Sequence, residues 1–211
     1  MAQIARDLHP FIALPILYSW PSRGELASYM ADHEAAEWTA PHLRQFLEDL
    51  VLKSGIETVH VIAHSMGNQA VTLALEKMGD DAKNKLKLHQ VLLTAPDVDA
   101  GLFKQRAKAF LRMAQRVTLY ANSEDKALIA SKELQGFPRA GDAAEILVLA
   151  GMDSVDATDV DNHFFGLNHS YVGDVRTVIT DLRATLQGLA LNQRDLKEMD
   201  SAAGVYYKFA R

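Results

Sequence analysis

The sequence predicts a protein of the α/β class, with a mostly parallel sheet that is covered by helices on both faces. Short, nearly continuous apolar segments alternate along the chain with longer segments in which apolar residues recur at helical spacing. The short segments have the length and composition of buried parallel strands. A chain of 211 residues that is 48% hydrophobic and 23% charged can bury one sizeable core. We therefore expect one α/β domain over residues 1–190, followed by a C-terminal tail over residues 191–211.

The predicted elements alternate regularly. The predicted strands are Phe11–Tyr18, Val59–Ala63, Gln90–Thr94, Val117–Ala121 and Ile146–Ala150. The predicted helices are Glu25–Leu52, Gly67–Met78, Ala100–Met113, Lys126–Leu134 and Asp174–Leu189. The tail is more polar, ends in GVYYKFAR, and is expected to form a last helix or to stay mobile.

Charge and composition argue against several classes of protein. The formal net charge is −5 and the basic residues are scattered, so no positive patch is available for a nucleic acid. No apolar run reaches the roughly 18–20 residues that cross a bilayer, and the first eight residues lack the pattern of a secretion signal. The chain as written is expected in the cytoplasm, unless an export signal lies upstream. It has no cysteine, so disulfides and thiolate metal sites are excluded.

The stretch VHVIAHSMGNQAVTLAL, residues 59–75, carries the first chemical signal. Ser65 lies where an apolar strand gives way to a helix, with Ala63 two residues before it and Gly67 two residues after it. This pattern is typical of a nucleophile elbow, a tight turn in which flanking side chains larger than Ala or Gly are expected to collide. The turn aims the helix N-terminus, with the free amide of Met66, at any negative charge that forms beside Ser65. The alternative is an ordinary serine N-cap.

A serine nucleophile needs a base and an acidic group that orients the base. The loop after the strand RVTLYA offers Glu124 and Asp125, and the loop after ILVLAG ends in GLNHSYV, which contains His169. Ser65, Asp125 and His169 occur in the order of α/β-hydrolase triads, each just after a predicted strand. Asp125 also fits a helix N-cap, which is compatible with catalysis, and His169 also fits an ordinary surface or core histidine.

Several segments together resemble a known family. They are YSWPSRG, HLRQFLEDL, VIAHSMGN, TAPDVDAGLFKQ, VTLYANSEDKAL, FPRAGD and HSYV. In this order they are similar to the uncharacterised bacterial α/β-hydrolase family of the esterase/lipase superfamily, catalogued as a domain of unknown function. The resemblance runs from Ala5 to Leu189. It implies an α/β-hydrolase sheet with Ser65 as nucleophile, Asp125 as acid and His169 as base, and it implies no particular substrate.

The chain departs from this family at its start. Members begin with a strand that ends in a His-Gly-Tyr-Asn-like turn, which donates an amide to the oxyanion hole, whereas this chain has no His-Gly pair. We expect a truncated or misassigned start, with a genuine variant as the alternative. Only the Met66 amide is then identifiable as an oxyanion donor. In the family's sheet the missing strand would lie between Phe11–Tyr18 and Val59–Ala63, and its absence would leave their backbone groups unpaired. Either Phe11–Tyr18 moves inward to pair directly with Val59–Ala63, or a strand of a partner chain takes the vacant position.

Other residues are further functional candidates. The segment MDSVDATDVDNH contains hard oxygen donors, but it lacks the glycine and the closing glutamate of an EF-hand, so a solvated acidic loop is the preferred interpretation and no metal site is predicted. His163 in this segment rivals His169 as the base, and His64 is interpreted as structural. Arg139 fits a loop-anchoring salt bridge at least as well as a substrate contact. Trp20 and Trp38 are expected to serve packing, and the sequon at Asn168 is attributed to chance.

The function predicted from these residues is acyl transfer to water by a serine hydrolase, a carboxylesterase or lipase-like enzyme without a cofactor. Its substrate would be a small ester or acyl compound. Two alternatives stay open. One is a non-catalytic scaffold or binding protein with this fold, and the other is a thioesterase or amidase with the same triad. Assembly with further copies of the chain is also left open.

Overall fold

The sheet has six strands, five of them parallel to their neighbours, in a computed structural model that describes residues 6, 8, 13–81, 86–160 and 174–210. The strands are β1 (Val61–His64), β2 (Leu88–Thr94), β3 (Ala114–Ala121), β4 (Met152–Asp156), β5 (Leu196–Ser201) and β6 (Gly204–Phe209). Their order across the sheet is β1-β2-β3-β4-β6-β5. Only β5 runs antiparallel, as the outer half of a hairpin with β6.

The described α-helices are α1 (Tyr29–Ser54), α2 (Gly67–Asp80), α3 (Ala100–Phe110), α4 (Lys126–Gln135) and α5 (Asp174–Leu186). Short 3₁₀ turns lie at Leu26–Ser28, Leu111–Met113, Ala143–Glu145 and Leu191–Gln193. Among the helices in these residues, none combines the length and apolar character that a bilayer crossing requires.

Two apolar clusters lie on opposite faces of the sheet. Alternate side chains of β2 point in opposite directions: Val91 and Leu93 belong to one cluster, and Leu92 belongs to the other. The first cluster includes buried residues of α1, α2 and α3, and the second includes residues of α5. The prediction of a mostly parallel sheet with helices on both faces is therefore confirmed.

The prediction of a strand at Ile146–Ala150 is wrong. The strand in this part of the chain is β4, which begins at Met152, directly after a turn at Gly151 with φ 88°. The strand is more polar than a buried strand usually is, and its polar groups have partners elsewhere in the fold. Asp153 pairs with Arg116 on β3, Asp156 pairs with Lys208 on β6 at 2.9 Å, and the Ser154 hydroxyl donates to the Leu147 carbonyl. These contacts compensate the cost of burying the polar groups.

The tail also differs from expectation, since it forms neither a last helix nor a mobile segment over its described part. Residues 196–209 fold into the β5–β6 hairpin, and β6 pairs in parallel with β4 through Val155–Tyr207 and Asp156–Lys208. Gly204 opens β6 at φ 127°, a conformation that side chains rarely adopt. The tail therefore completes one side of the sheet.

The other side of the sheet ends at β1. The predicted strand Phe11–Tyr18 does not form over its described residues 13–18, and residues 11 and 12 lie outside the described part. Tyr18 instead packs on α1, with its ring 5.5 Å from that of Phe46 and its hydroxyl 2.9 Å from that of Thr39. The expected inward move of this segment is therefore not observed. Within the described chain β1 pairs with β2 alone.

Candidate active site

Ser65 occupies a left-handed turn between β1 and α2. Its φ of 49° is rare for a residue with a side chain, and such strain is concentrated at functional sites. Three hydrogen bonds hold the Ser65 carbonyl, from the amide and side chain of Asn68 at 3.1 and 3.0 Å and from the amide of Asp97 at 3.2 Å. The Ser65 amide donates to the Thr94 carbonyl at 3.1 Å. A strand, a left-handed turn and a helix therefore meet at Ser65, as the sequence pattern predicts.

One expectation about this turn is wrong. A Cβ placed on Gly67 would meet no atom within 4 Å, so a larger side chain would not collide there. Ala63, on the strand side, is buried in the core and does restrict side-chain size. The reason for the difference is that the Ala63 side chain packs in the apolar core, whereas position 67 faces open space. The small residue at position 67 thus keeps space open in front of the turn.

A pocket of about 240 Å³ lies beside the Ser65 turn. Its walls come from the segment before α1, from α1 and α4, and from the loops that follow β1 and β2. The lining residues are Trp20, Ser22, Gly24, Glu25, Tyr29, Asp32, Ser65, Met66, Asp97, Ala127 and Ser131. Sites in parallel α/β sheets form at this edge, beyond the carboxyl ends of the strands. The pocket has space for a small substrate group next to the serine.

Met66 occupies the N-cap position of α2 and lines the same pocket. The first amides bonded inside this turn are those of Asn68 and Gln69, which donate to the carbonyls of Ser65 and Met66. Within the described residues, the Met66 amide has no acceptor. An amide at a helix N-terminus is suited to stabilise an oxyanion.

Asp125 caps α4, as its alternative interpretation predicts. Its Oδ1 accepts from the amides of Ala127 at 2.9 Å and Leu128 at 3.1 Å, while Oδ2 is not engaged by any described residue. Ala127, two residues further on, lines the pocket together with Ser65, so the Asp125 loop adjoins the site. Glu124, the neighbouring acidic candidate, is exposed. Capping therefore leaves one carboxylate oxygen of Asp125 available to orient a base.

The predicted base, His169, lies outside the described residues, as do its rival His163, Asp161 and Asn168. The described elements on either side of these residues are β4 and α5. β4 ends at Asp156, at the sheet edge where β1 and β3 also end, and α5 begins at Asp174. The assignment of His169 as the base stays a prediction.

Asp97 was not singled out from the sequence, yet it is the centre of a buried network beside Ser65. Arg139 Nε donates to its Oδ1 at 2.8 Å, the Ser131 hydroxyl donates to the same oxygen at 2.5 Å, and the Tyr29 hydroxyl donates to Oδ2 at 2.9 Å. Asp97 and Arg139 are each 4% exposed. Of the two interpretations of Arg139, the loop-anchoring salt bridge is the one observed. The signal that could have identified Asp97 is its place just after a predicted strand, the rule that pointed to Asp125.

Tyr29 and Asp32 shape the pocket from α1. Burial, with Asp97 nearby, raises the pKa of the Tyr29 hydroxyl, so it keeps its proton at neutral pH. Asp32 accepts from the amides of Arg23 and Gly24 and from the Ser22 hydroxyl, at 2.8 to 2.9 Å. The bond from the Arg23 amide is the main cause that lowers the pKa of Asp32. The ionised Asp32 thus clamps the segment that forms the outer wall of the pocket.

The two tryptophans differ from each other. Trp20 lines the pocket next to Ser65, whereas Trp38 is 63% exposed and, among the rings of the described residues, contacts that of His42 at a tilt of 53°, with the ring centres 4.7 Å apart. The expectation of a packing role is therefore wrong for Trp38, because its position on α1 faces away from both apolar clusters.

The described part of the acidic segment is engaged in ion pairs. Asp153 bonds Arg116, and Asp156 and Asp159 face Lys208 at 2.9 and 3.9 Å. Among the residues that the structure describes, no three or more metal-binding side chains converge.

His64, directly before the serine, predicts a pH dependence of stability. Burial lowers its pKa from 6.5 to about 4. Between these two values the unfolded chain binds a proton that the folded chain does not, so the free energy of unfolding decreases as the pH falls from about 6.5 to about 4. The expected loss from this group is about 3 kcal/mol at most, at about 1.4 kcal/mol per pKa unit.

Urea denaturation at pH 7 and pH 4.5 measures this loss. We expect His64→Gln to reduce the loss by about 2 kcal/mol. Some loss will remain because burial also lowers the pKa of His60. His42→Gln, a change at an exposed histidine, is the control and should leave the loss unchanged. An equal loss in wild type and His64→Gln would show that His64 does not carry the effect.

Comparison with known proteins assigns this chain to a family. The profile of a family described as alpha/beta hydrolase of unknown function, DUF900, matches residues 1–187. An uncharacterized protein of Nostoc sp. strain PCC 7120 is 28% identical over a stretch that covers 39% of this chain and 27% of that protein. The matched stretch is thus about a quarter of the length of that relative. No solved structure matches the chain significantly.

Proposed function

Because the chain belongs to the family of α/β hydrolases of unknown function called DUF900, we propose that it is a serine hydrolase that cleaves ester bonds. The main support is the conformation and position of Ser65. It adopts φ 49° in the turn between β1 and α2, and it lines a pocket. A serine that only capped a helix would not need this strained backbone. The proposed substrate is a small carboxylic ester, as for a carboxylesterase or lipase-like enzyme.

The proposed reaction proceeds in two steps through an acyl-enzyme. In the first, Ser65 Oγ attacks the ester carbonyl, His169 takes the serine proton and returns it to the departing alcohol, and the C–O bond of the ester breaks. In the second, His169 takes a proton from water, the hydroxide attacks the acyl carbon, and Ser65 leaves with its proton restored. Asp125 orients the imidazole and stabilises its charged form, and the Met66 amide donates to the oxyanion.

Covalent labelling tests this proposal. A fluorophosphonate forms a bond to phosphorus only at a serine that a base has activated. We expect one label per chain, on Ser65, when the labelled protein is digested and its peptides are identified by mass spectrometry. Ser131 lines the same pocket but donates its proton to Asp97, so it should remain unlabelled and serves as an internal control.

Two outcomes would contradict the proposal. Label on another serine would move the nucleophile, and a folded chain that takes no label and hydrolyses no p-nitrophenyl ester would favour the scaffold alternative. Protein that has been denatured before the reaction should take no label, since activation of the serine requires the folded site.

A further inference from the structure

We propose that Asp97 is a positioning residue for the chemistry of Ser65, an inference that rests on the proposed function. It acts through two different parts of the same residue. Its backbone amide donates to the Ser65 carbonyl at 3.2 Å, and its carboxylate holds the Tyr29 hydroxyl at 2.9 Å. The first contact bears on the turn that carries the nucleophile, and the second bears on a wall of the pocket.

The carboxylate of Asp97 joins two parts of the chain that are distant from it and from each other, α1 on one side and α4 with the loop that follows it on the other. Tyr29 comes from α1, Ser131 from α4, and Arg139 from the loop after α4. The loop of Arg139 is also bonded to that of Asp97 through the backbone, from the Gly141 amide to the Pro96 carbonyl at 2.9 Å. A Cβ on Gly141 would lie 2.6 Å from the backbone of Ala95 and Pro96, so the two loops are in direct contact. Asp97 therefore cannot shift without moving the contacts that surround Ser65.

The hydroxyls beside Asp97 depend on its charge. Tyr29 and Ser131 lie 2.7 Å apart, and each also donates to the carboxylate, while Arg139 supplies a third donor. A carboxylate can accept all three bonds, whereas the side-chain amide of asparagine has one acceptor oxygen and a nitrogen that only donates. An Asp97→Asn change must therefore reverse or break the bond from Tyr29, or leave the buried Arg139 guanidinium without its acceptor, and in either case it removes the negative charge that pairs with Arg139.

A second network of the same composition provides a matched control. On the opposite face of the sheet, Asp181 accepts from Arg194 and from the Tyr120 hydroxyl at 2.9 Å, and Thr185 lies 3.0 Å from that hydroxyl. Both networks thus combine a buried aspartate with one arginine, one tyrosine and one hydroxyl. None of the four residues in the second network lines the pocket. If the role of Asp97 were only structural, replacing the aspartate of either network should have the same effect on the reactivity of Ser65.

The experiment compares Asp97→Asn with Asp181→Asn in the full 211-residue chain. Both variants should lower Tm, so circular dichroism first defines a temperature at which both are folded. At that temperature we expect the second-order rate constant of fluorophosphonate labelling at Ser65 to fall 10- to 100-fold in Asp97→Asn, since small displacements of reacting groups have costs of this order. In Asp181→Asn it should stay within about twofold of wild type. Equal rates in wild type and Asp97→Asn would overturn the proposal.

A milder pair keeps the test decisive if Asp97→Asn does not fold. Tyr29→Phe removes the pocket hydroxyl and keeps the ion pair, and Tyr120→Phe makes the same change in the control network. We expect Tyr29→Phe to raise KM for a p-nitrophenyl ester about three- to tenfold with kcat within twofold, as for lost ground-state binding. Tyr120→Phe should change neither constant. An unchanged KM in Tyr29→Phe would show that the network does not reach the substrate.

These results are separable from a failure of the proposed function. That function fails on wild-type protein alone, when Ser65 takes no label. The positioning role fails when wild type is labelled at Ser65 and Asp97→Asn is labelled at the same rate or, where Asp97→Asn does not fold, when Tyr29→Phe behaves like wild type.

Discussion

Ser65→Ala is expected to lower kcat for a p-nitrophenyl ester by about 10⁵-fold or more, the scale seen when the nucleophile of a triad is removed. Without Oγ no acyl-enzyme forms, and water must attack the ester directly. The fold should be preserved, because Ala95 at the end of β2 already adopts φ 43°, almost the same left-handed conformation as Ser65. Steady-state kinetics with thermal denaturation of the same samples measures both effects.

The control for this variant is Ser123→Ala. Ser123 lies in the loop after β3, where its hydroxyl contacts that of Thr158 at 3.1 Å, and it does not line the pocket. We expect wild-type kcat in this variant. Retained turnover in a folded Ser65→Ala chain would mean that the hydrolysis uses another nucleophile.

Asp125→Asn is expected to lower kcat by about 10⁴-fold while Tm changes little. Asparagine is as good an N-cap as aspartate, so Oδ1 can still accept from the amides of Ala127 and Leu128. What the variant loses is the negative charge that would hold the base in its productive tautomer. Catalysis and helix capping, the two roles proposed for this residue, are thereby separated.

Asp99→Asn is the matched control for this separation. Asp99 caps α3 by accepting from the Leu102 amide at 2.7 Å, so the same change is made at another helix cap. Its kcat should stay within about twofold of wild type, since the cap is preserved. If Asp125→Asn is as active as Asp99→Asn, the acid of the triad lies elsewhere in the chain.

The parts of the fold that could be predicted are those set by local pattern. The turn at Ser65 follows from an apolar strand, a small polar turn and an amphipathic helix, which all lie within residues 59–75. The strand β4 could not be found in this way, since Asp153, Ser154 and Asp156 make it look like a loop. Their partners, among them Arg116 and Lys208, lie far along the chain and become neighbours only when the sheet has formed.

The same limit applies to the site. Asp97 looks like an ordinary loop residue in TAPDVDAG, because what makes it notable is the convergence of Tyr29, Ser131 and Arg139, all of them more than 30 residues away from it in the chain. The tail is a different case. Its hairpin has a local signal, the alternation of Val205, Tyr207 and Phe209 after a glycine, which favours a strand over the helix that was expected.

The short length of β1 limits how many backbone bonds an added extended segment could form at this side of the sheet. Its outer side has no paired strand among the described residues, and such an edge is a template for extended peptides. However, β1 has only four residues, and the chain bends sharply at Ser65 directly after it. A peptide that added there could share only a few backbone bonds before diverging into α2. Such pairing would be shallow and reversible, unlike the long ladders that sustain fibril growth.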